Sequence, residues 1–110
     1  MPTLRLELPI RPSDAEIASL RADLAPCAAS AYELPSQSMD LREIALAVSF
    51  ASDALQGVDV LVHWLKAWLP RAPGSNQARI RLSDGRTLEL EATADPDAFV
   101  ETLRAALIKM

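Results

Sequence analysis

The stretch from Ala78 to Glu91 leaves the chain little choice of structure. Ala78-Arg79-Ile80-Arg81-Leu82 and Thr87-Leu88-Glu89-Leu90-Glu91 both alternate apolar and polar residues, with Ser83-Asp84-Gly85 between them. Strict alternation marks a strand with one buried and one wet face. A two-residue Asp-Gly turn would set Arg81 opposite Leu88 and Ile80 opposite Glu89, turning one strand's apolar face to solvent. A three-residue loop with Gly85 at the left-handed bulge position instead pairs Ile80 with Leu88 and Arg79 with Glu89. The sequence therefore predicts a bulged hairpin with apolar residues on one face and opposite charges on the other.

The remaining elements are set out by punctuation. The eight prolines, at 2, 9, 12, 26, 35, 70, 73 and 96, all fall outside the periodic segments. A proline lacks the amide that a helix or ladder interior needs, so these residues separate elements. Leu4, Leu6 and Leu8 alternate with Arg5 and Glu7 as a half-buried strand that Pro9 and Pro12 end. Ser13-Asp14-Ala15-Glu16 is a capping box, and Ile17, Leu20 and Leu24 follow at helical spacing up to Pro26. Ala29 to Leu34, around Tyr32, is a candidate second strand.

Asp40 and Glu43 open a helix over Leu41 to Leu55, with Ile44, Val48 and Ala51 on one face and alanines keeping it slim. Gln56-Gly57 interrupts, and Val58 to Leu69 forms a further helix stopped by Pro70. Its stripe is Val58, Leu61, Leu65 and Trp68, with Val62 and Leu69 beside it. Gly57 either separates two helices or kinks one long one, since a helical glycine costs about 1 kcal/mol relative to alanine without forbidding the helix. A loop follows through Pro73-Gly74-Ser75-Asn76. Asp95 caps a last helix with Pro96 in its first turn, burying Phe99, Leu103, Leu107 and Met110.

Composition narrows the function classes. One domain accounts for 110 residues, and 50% apolar with 24% charged residues excludes a disordered chain. Eleven basic against fifteen acidic residues give net −4, with no basic run, so neither nucleic acid nor an anionic bilayer surface is an expected partner. The N-terminus alternates and does not carry the continuous apolar stretch of a signal peptide. The greasiest stretch, Ile44 to Leu69, is broken by Asp53, Asp59, His63 and Lys66, so no membrane insertion is expected. A lone Cys27 fits a reducing, cytoplasmic setting.

Few residues could carry catalysis. One Cys and one His remove disulfide frameworks and most metal sites and triads. Cys27 is the only thiol and His63 the only imidazole, and no surrounding motif supports a Cys27-His63 dyad. The carboxylate pairs Asp95/Asp97, Glu89/Glu91 and Asp53/Asp59 fall at a helix start, on a wet strand face and at a helix break, none of them a buried cleft. With only Gly57, Gly74 and Gly85, no phosphate-cradling loop exists. The expectation is therefore no enzyme, no cofactor and no metal.

Trp64 and Trp68, four apart, stack on adjacent turns of one helix. Trp68 shares the main apolar stripe and reads as core, whereas Trp64 lies toward its edge. Half the chain is apolar, which is much for one small core, and a short sheet leaves edge amides unpaired. A protein partner is the expected use of such a surface, with Val58, Leu61, Trp64 and Trp68 as the expected contact residues, or a sheet edge in their place.

The stretch from Leu41 to Leu107 resembles a family of small bacterial proteins called the effector-associated constant component. The likeness rests on the Ala-rich segment Ile44 to Ala54, the Gln56-Gly57 break and the ending Leu-Lys-Ala-Trp-Leu (Leu65 to Leu69). It continues in the strand-turn-strand Ala78 to Leu90 and the Asp-Pro-Asp start at Asp95 to Asp97. The break holds less glycine than the family pattern. The resemblance implies a non-enzymatic accessory of bacterial conflict systems that binds or regulates a variable effector, such as a caspase-like or trypsin-like peptidase encoded nearby. It supplies no catalytic residues.

The expected architecture is thus a single α+β domain over residues 1 to 110. An antiparallel sheet of three or four strands carries helices on one face, in the order β-α-(β)-α-α-β-β-α. The functional alternative to an effector-binding adaptor is a structural subunit that self-assembles into a homo-oligomer through its central helices.

Overall fold

The computed structural model describes residues 3–8, 11–34, 44–50, 57–71, 77–91 and 93–108. Among them the chain runs β1 (Thr3–Leu8), α1 (Asp14–Leu24), β2 (Ala29–Leu34), β3 (Ile44–Phe50), α2 (Gly57–Trp68), β4 (Gln77–Leu82), β5 (Thr87–Glu91) and α3 (Pro96–Ile108). Short 3-10 turns follow α1 and α2. The five strands form one sheet in the order β2-β3-β1-β4-β5, and every neighbouring pair is antiparallel. β3 lies between the ends of the β1-α1-β2 unit, and β1 between those of β3-α2-β4. This is the interleaved split β-α-β arrangement of ferredoxin-like sheets, here extended by β5 and α3.

Each strand sends alternate residues to opposite faces. One face carries Leu4, Leu6 and Leu8 of β1, Leu46, Val48 and Phe50 of β3, and Ala78, Ile80 and Leu82 of β4. These join residues of all three helices in one core. Leu6 and Leu46 face each other at its centre and are both 0% exposed. The helices contribute the stripes their spacing requires: Ile17, Leu20 and Leu24 from α1, and Val58, Leu61, Val62, Leu65 and Trp68 from α2. In α3 the buried residues are Val100, Leu103, Ala106 and Leu107, with Phe99 half-buried and Met110 outside the described residues.

The hairpin has the register that its alternation demands. Ile80 faces Leu88, Arg79 faces Glu89, and Gly85 takes φ +95° in the loop. The Leu82 amide donates to the Arg86 carbonyl at 2.8 Å, and the Gly85 amide to the Leu82 carbonyl at 3.0 Å. At the start of α1 the Ser13 hydroxyl accepts from the Glu16 amide at 3.1 Å. The Glu16 carboxylate in turn accepts from the Ser13 amide at 2.9 Å, which completes the capping box. Ala29–Leu34 is a strand, as its composition suggested.

One expected element is wrong. Within the helix expected over Leu41 to Leu55, the described part, Ile44–Phe50, is strand β3. The question of one bent helix or two through Leu69 therefore has neither answer, and the sheet gains strands to reach five. The physical reason lies in the wet side of β3. Leu46, Val48 and Phe50 alternate with Ala45, Ala47 and Ser49, so the strand alternates in size more than in polarity. Alanine is both apolar and the best helix former, which hides a period of two behind a helical composition.

Local electrostatics tie the elements together. The Arg11 guanidinium forks onto Glu33 at 3.1 and 3.2 Å and also reaches Asp14 at 2.8 Å, joining the chain before α1 to β2. The fork holds the Glu33 carboxyl below its ordinary range and keeps the Arg11 guanidinium more firmly protonated. The Arg86 amide, then its side chain, likewise holds Asp84 below its ordinary range, and Arg86 Nη2 donates to the Ala106 carbonyl at 2.8 Å near the end of α3.

Two predictions follow from this packing. A Cβ on Gly57 would meet Ala29 Cβ at 3.0 Å, Phe50 Cε1 at 3.2 Å and Leu24 Cδ2 at 3.3 Å. Gly57→Ala should therefore destabilise the fold by about 1–3 kcal/mol in urea titrations, against the gain in helix propensity. Glu33 contributes with a depressed pKa, so its stabilisation is present at neutral pH and disappears as pH falls through the carboxylate range. Glu33→Gln should have a slightly lower urea midpoint than the parent at pH 7. The two should converge at acid pH, once the folded state also binds the proton.

Candidate interaction surface

Of the four residues expected to meet a partner, three lie inside the core. Val58 and Leu61 are 0% exposed and Trp68 is 3% exposed, because α2 spends its whole apolar stripe on the sheet and on its neighbouring helices. Only Trp64 reaches solvent. It is half-buried against the core, and its ring lies parallel to that of Trp68 with centroids 6.0 Å apart and planes within 5°. The pair therefore makes a two-ring stack with one buried and one partly open member.

His63 stands one position away on α2 and is exposed. Its Nδ1 donates to the Asp59 carbonyl at 2.7 Å, since a carbonyl can only accept. Its Nε2 lies 4.0 Å from Asp97 Oδ1 at the start of α3. His63 also lines an open cleft with Asp59 and Val60 of α2, Ala22 and Asp23 of α1, and Pro26. Cys27 is half-buried beside Pro26 and does not line the cleft. The two ring nitrogens are directed at a backbone carbonyl and a carboxylate, which is not the geometry that activates a thiol. Asp59 Oδ1 is buried without a hydrogen-bond partner among the described residues, and it sits in the first turn of α2, where helix amides favour negative charge. Among the described residues no group of three His, Cys, Asp or Glu side chains could hold a metal ion. No described helix is long and apolar enough to cross a membrane.

The sheet edges differ from each other. On β2 the Arg21 Nε donates to the Ala31 carbonyl at 2.9 Å, so α1 supplies a side chain to the backbone of an edge strand. Capping of this kind blunts an edge against unwanted pairing. On β5 the outer side chains are Thr87, Glu89 and Glu91, all exposed, and two edges of this kind would meet with like charges.

All three helices cover one face of the sheet, and among the described residues nothing packs on the other. Three rows of side chains cross that open face. Ser30, Ser49 and Thr3 form a hydroxyl row, with Thr3 Oγ1 3.3 Å from Ser49 Oγ. The next row runs Tyr32, Ala47, Arg5, Arg81, Thr87, and the third Leu34, Ala45, Glu7, Arg79, Glu89. Sequence reasoning could place these residues on wet strand faces but could not bring them together, because their adjacency depends on β3 inserting beside β1.

No protein-family model, no curated protein and no solved structure matches this chain.

The Trp64–Trp68 stack is open to direct measurement. Trp64→Ala should remove the strong paired-indole signal in near-ultraviolet circular dichroism. It should lower stability by about 1–3 kcal/mol, combining the loss of ring stacking with the loss of a half-buried aromatic. A change confined to the spectrum, with stability intact, would mean that Trp64 contributes nothing to the core.

Proposed function

We propose that the protein is a non-enzymatic accessory that binds and regulates a bacterial conflict effector, such as a caspase-like or trypsin-like peptidase encoded beside it. The resemblance of Leu41 to Leu107 to the effector-associated constant component supplies the kind of partner. The observation that supports binding as such is the one-sided build of the molecule. On the sheet face away from the helices Tyr32 is 51% exposed, and part of Trp64 on α2 is open as well. Antiparallel sheets tolerate one wet face, so openness permits a partner without requiring one. Tyr and Trp at such positions bring large, stiff contact area, which is what interface anchors provide.

The reading places the protein in the cytoplasm, without cofactor, nucleic acid or membrane insertion. Self-assembly through the central helices loses its physical basis, because Val58, Leu61 and Trp68 are occupied in the core. A sheet edge or the open face takes their place as the surface for a partner.

Co-expression with the neighbouring effector gene tests the reading. A stable complex with that peptidase in size-exclusion chromatography, and a several-fold change in its hydrolysis rate, are expected. Failure of every neighbouring gene product to associate would refute it, as would an intrinsic activity of the purified protein that vanishes in Cys27→Ala or His63→Ala.

A further inference from the structure

Arg5 and Arg81 face each other across β1 and β4 on the open face, and both are exposed. Like charges set directly opposite in a sheet are destabilising. The nearby carboxylates do not compensate both. Glu7 Oε1 lies 3.3 Å from Arg81 Nε, and Glu89 Oε1 lies 3.8 Å from Arg79 Nε. Arg5 has no hydrogen-bond or ion-pair partner among the described residues. Arg5, opposite a like charge and without an acid of its own, gains nothing for the fold at that position.

The same row gives this cation a setting. Ala47 sits between Arg5 and Tyr32, and Ala45 sits between Glu7 and Leu34. Ala47 is 6% and Ala45 8% exposed, low between taller cross-strand neighbours. Strands lie about 4.8 Å apart, so Tyr32 and Arg5 stand roughly 10 Å from each other across an alanine floor. An extended segment of a partner would set a carboxylate on Arg5 and an apolar side chain beside Tyr32.

We infer that the open face, centred on Arg5, Ala47 and Tyr32, docks an acidic, apolar segment of a partner protein. The inference rests on the reading of this protein as a binder and adds the chemistry of what it binds. Charge complementarity selects the partner. A planar, unpaired guanidinium forks onto a carboxylate. Nucleic acid is the weaker occupant of the same arginines. Stacking of bases needs aromatic rings on the central strands, whereas β1 and β3 present Arg5, Glu7, Ala45 and Ala47. The carboxylates of Glu7 and Glu89 on that face are already engaged by Arg81 and Arg79, which leaves Arg5 as the cation open to an acidic group.

Amide NMR of the whole chain provides the test, with three probes: an acetylated and amidated peptide EFDLE, its basic counterpart KFKLK, and a ten-residue oligothymidylate. The acidic peptide should shift the amides of β1, β2 and β3 around Arg5, Tyr32 and Ala47. The shifts should shrink toward 1 M salt, where screening acts within about 3 Å. Arg5→Glu should weaken this binding at least tenfold and leave the thermal midpoint unlowered, since it sets a carboxylate opposite Arg81. Tyr32→Ala should weaken binding several-fold with the fold intact. No shift with EFDLE, shifts confined to the helices, equal shifts with KFKLK, or stronger shifts with oligothymidylate would each overturn the inference, as would a lowered midpoint in Arg5→Glu. If a neighbouring peptidase binds Arg5→Glu as well as it binds the parent, the inference fails while the accessory role stands. If no peptidase binds even the parent, the accessory role fails on its own account.

Discussion

The structure depends on β1 holding the middle of the sheet. It is bordered by β3 on one side and β4 on the other, so both interleaved β-α-β units close around it. Its register is therefore fixed twice. Leu4, Leu6 and Leu8 must point at the helices along both borders, and a slip of one residue would send Arg5 and Glu7 into the core instead. Burial of three leucines in a strand of six residues specifies that choice strongly, because each fully buried leucine is worth about 1.5–3 kcal/mol. Gly57 plays the matching part for the helical layer. It starts α2 against Ala29, Phe50 and Leu24, and so sets how closely α2 approaches β2, β3 and α1.

A layer of three helices on one face of five strands has a consequence for charge. The core takes one set of alternate strand residues and imposes little on the other set. The opposed pairs of the hairpin show the other set serving the fold, since Arg79 faces Glu89. The opposed Arg5 and Arg81 show it gaining nothing for the fold. Two arrangements on one face, built from the same residue types a few ångströms apart, separate what folding requires from what it merely tolerates. Stability alone accounts for the first arrangement and not for the second.

The legible parts of the chain were those whose signal is local. The hairpin could be read to the residue because charge and apolarity alternate together, and because only one loop length satisfies both strands. The capping box placed the start of α1, and Asp95 with Pro96 placed the start of α3, since cap chemistry acts over three or four residues. The strand β3 was misread because its wet side is built of alanine and serine, so the polarity contrast that betrays a strand is missing. Three of the expected contact residues are core for a related reason. Val58, Leu61 and Trp68 form the strongest apolar stripe in the chain, and a strong stripe is claimed by the core whenever a sheet is there to receive it. Misreading β3 as a helix removed part of that sheet and left the stripe without an obvious place to go. The open face was illegible for a different reason. Tyr32 and Arg5 are 27 positions apart and fall in one row only because β3 pairs with both of their strands, setting Ala47 between them.

That pairing also bears on how such a domain could serve different partners. The floor residues Ala45 and Ala47 come from β3, one wall from β2 and the other from β1, while none of the three helices contributes to the open face. Substitution of Tyr32, Arg5 or Arg81 therefore leaves the buried contacts of Leu6, Leu46 and α2 untouched. A core that is sealed on one side places few constraints on the chemistry of the other side, so binding specificity can change there at small cost to folding. The helical layer has no equivalent freedom, because α2 packs on the sheet with α1 and α3 beside it and five of its twelve residues carry large apolar side chains into the core. Function that must vary is accordingly better placed on the sheet than on the helices, which is where the unpaired arginine stands.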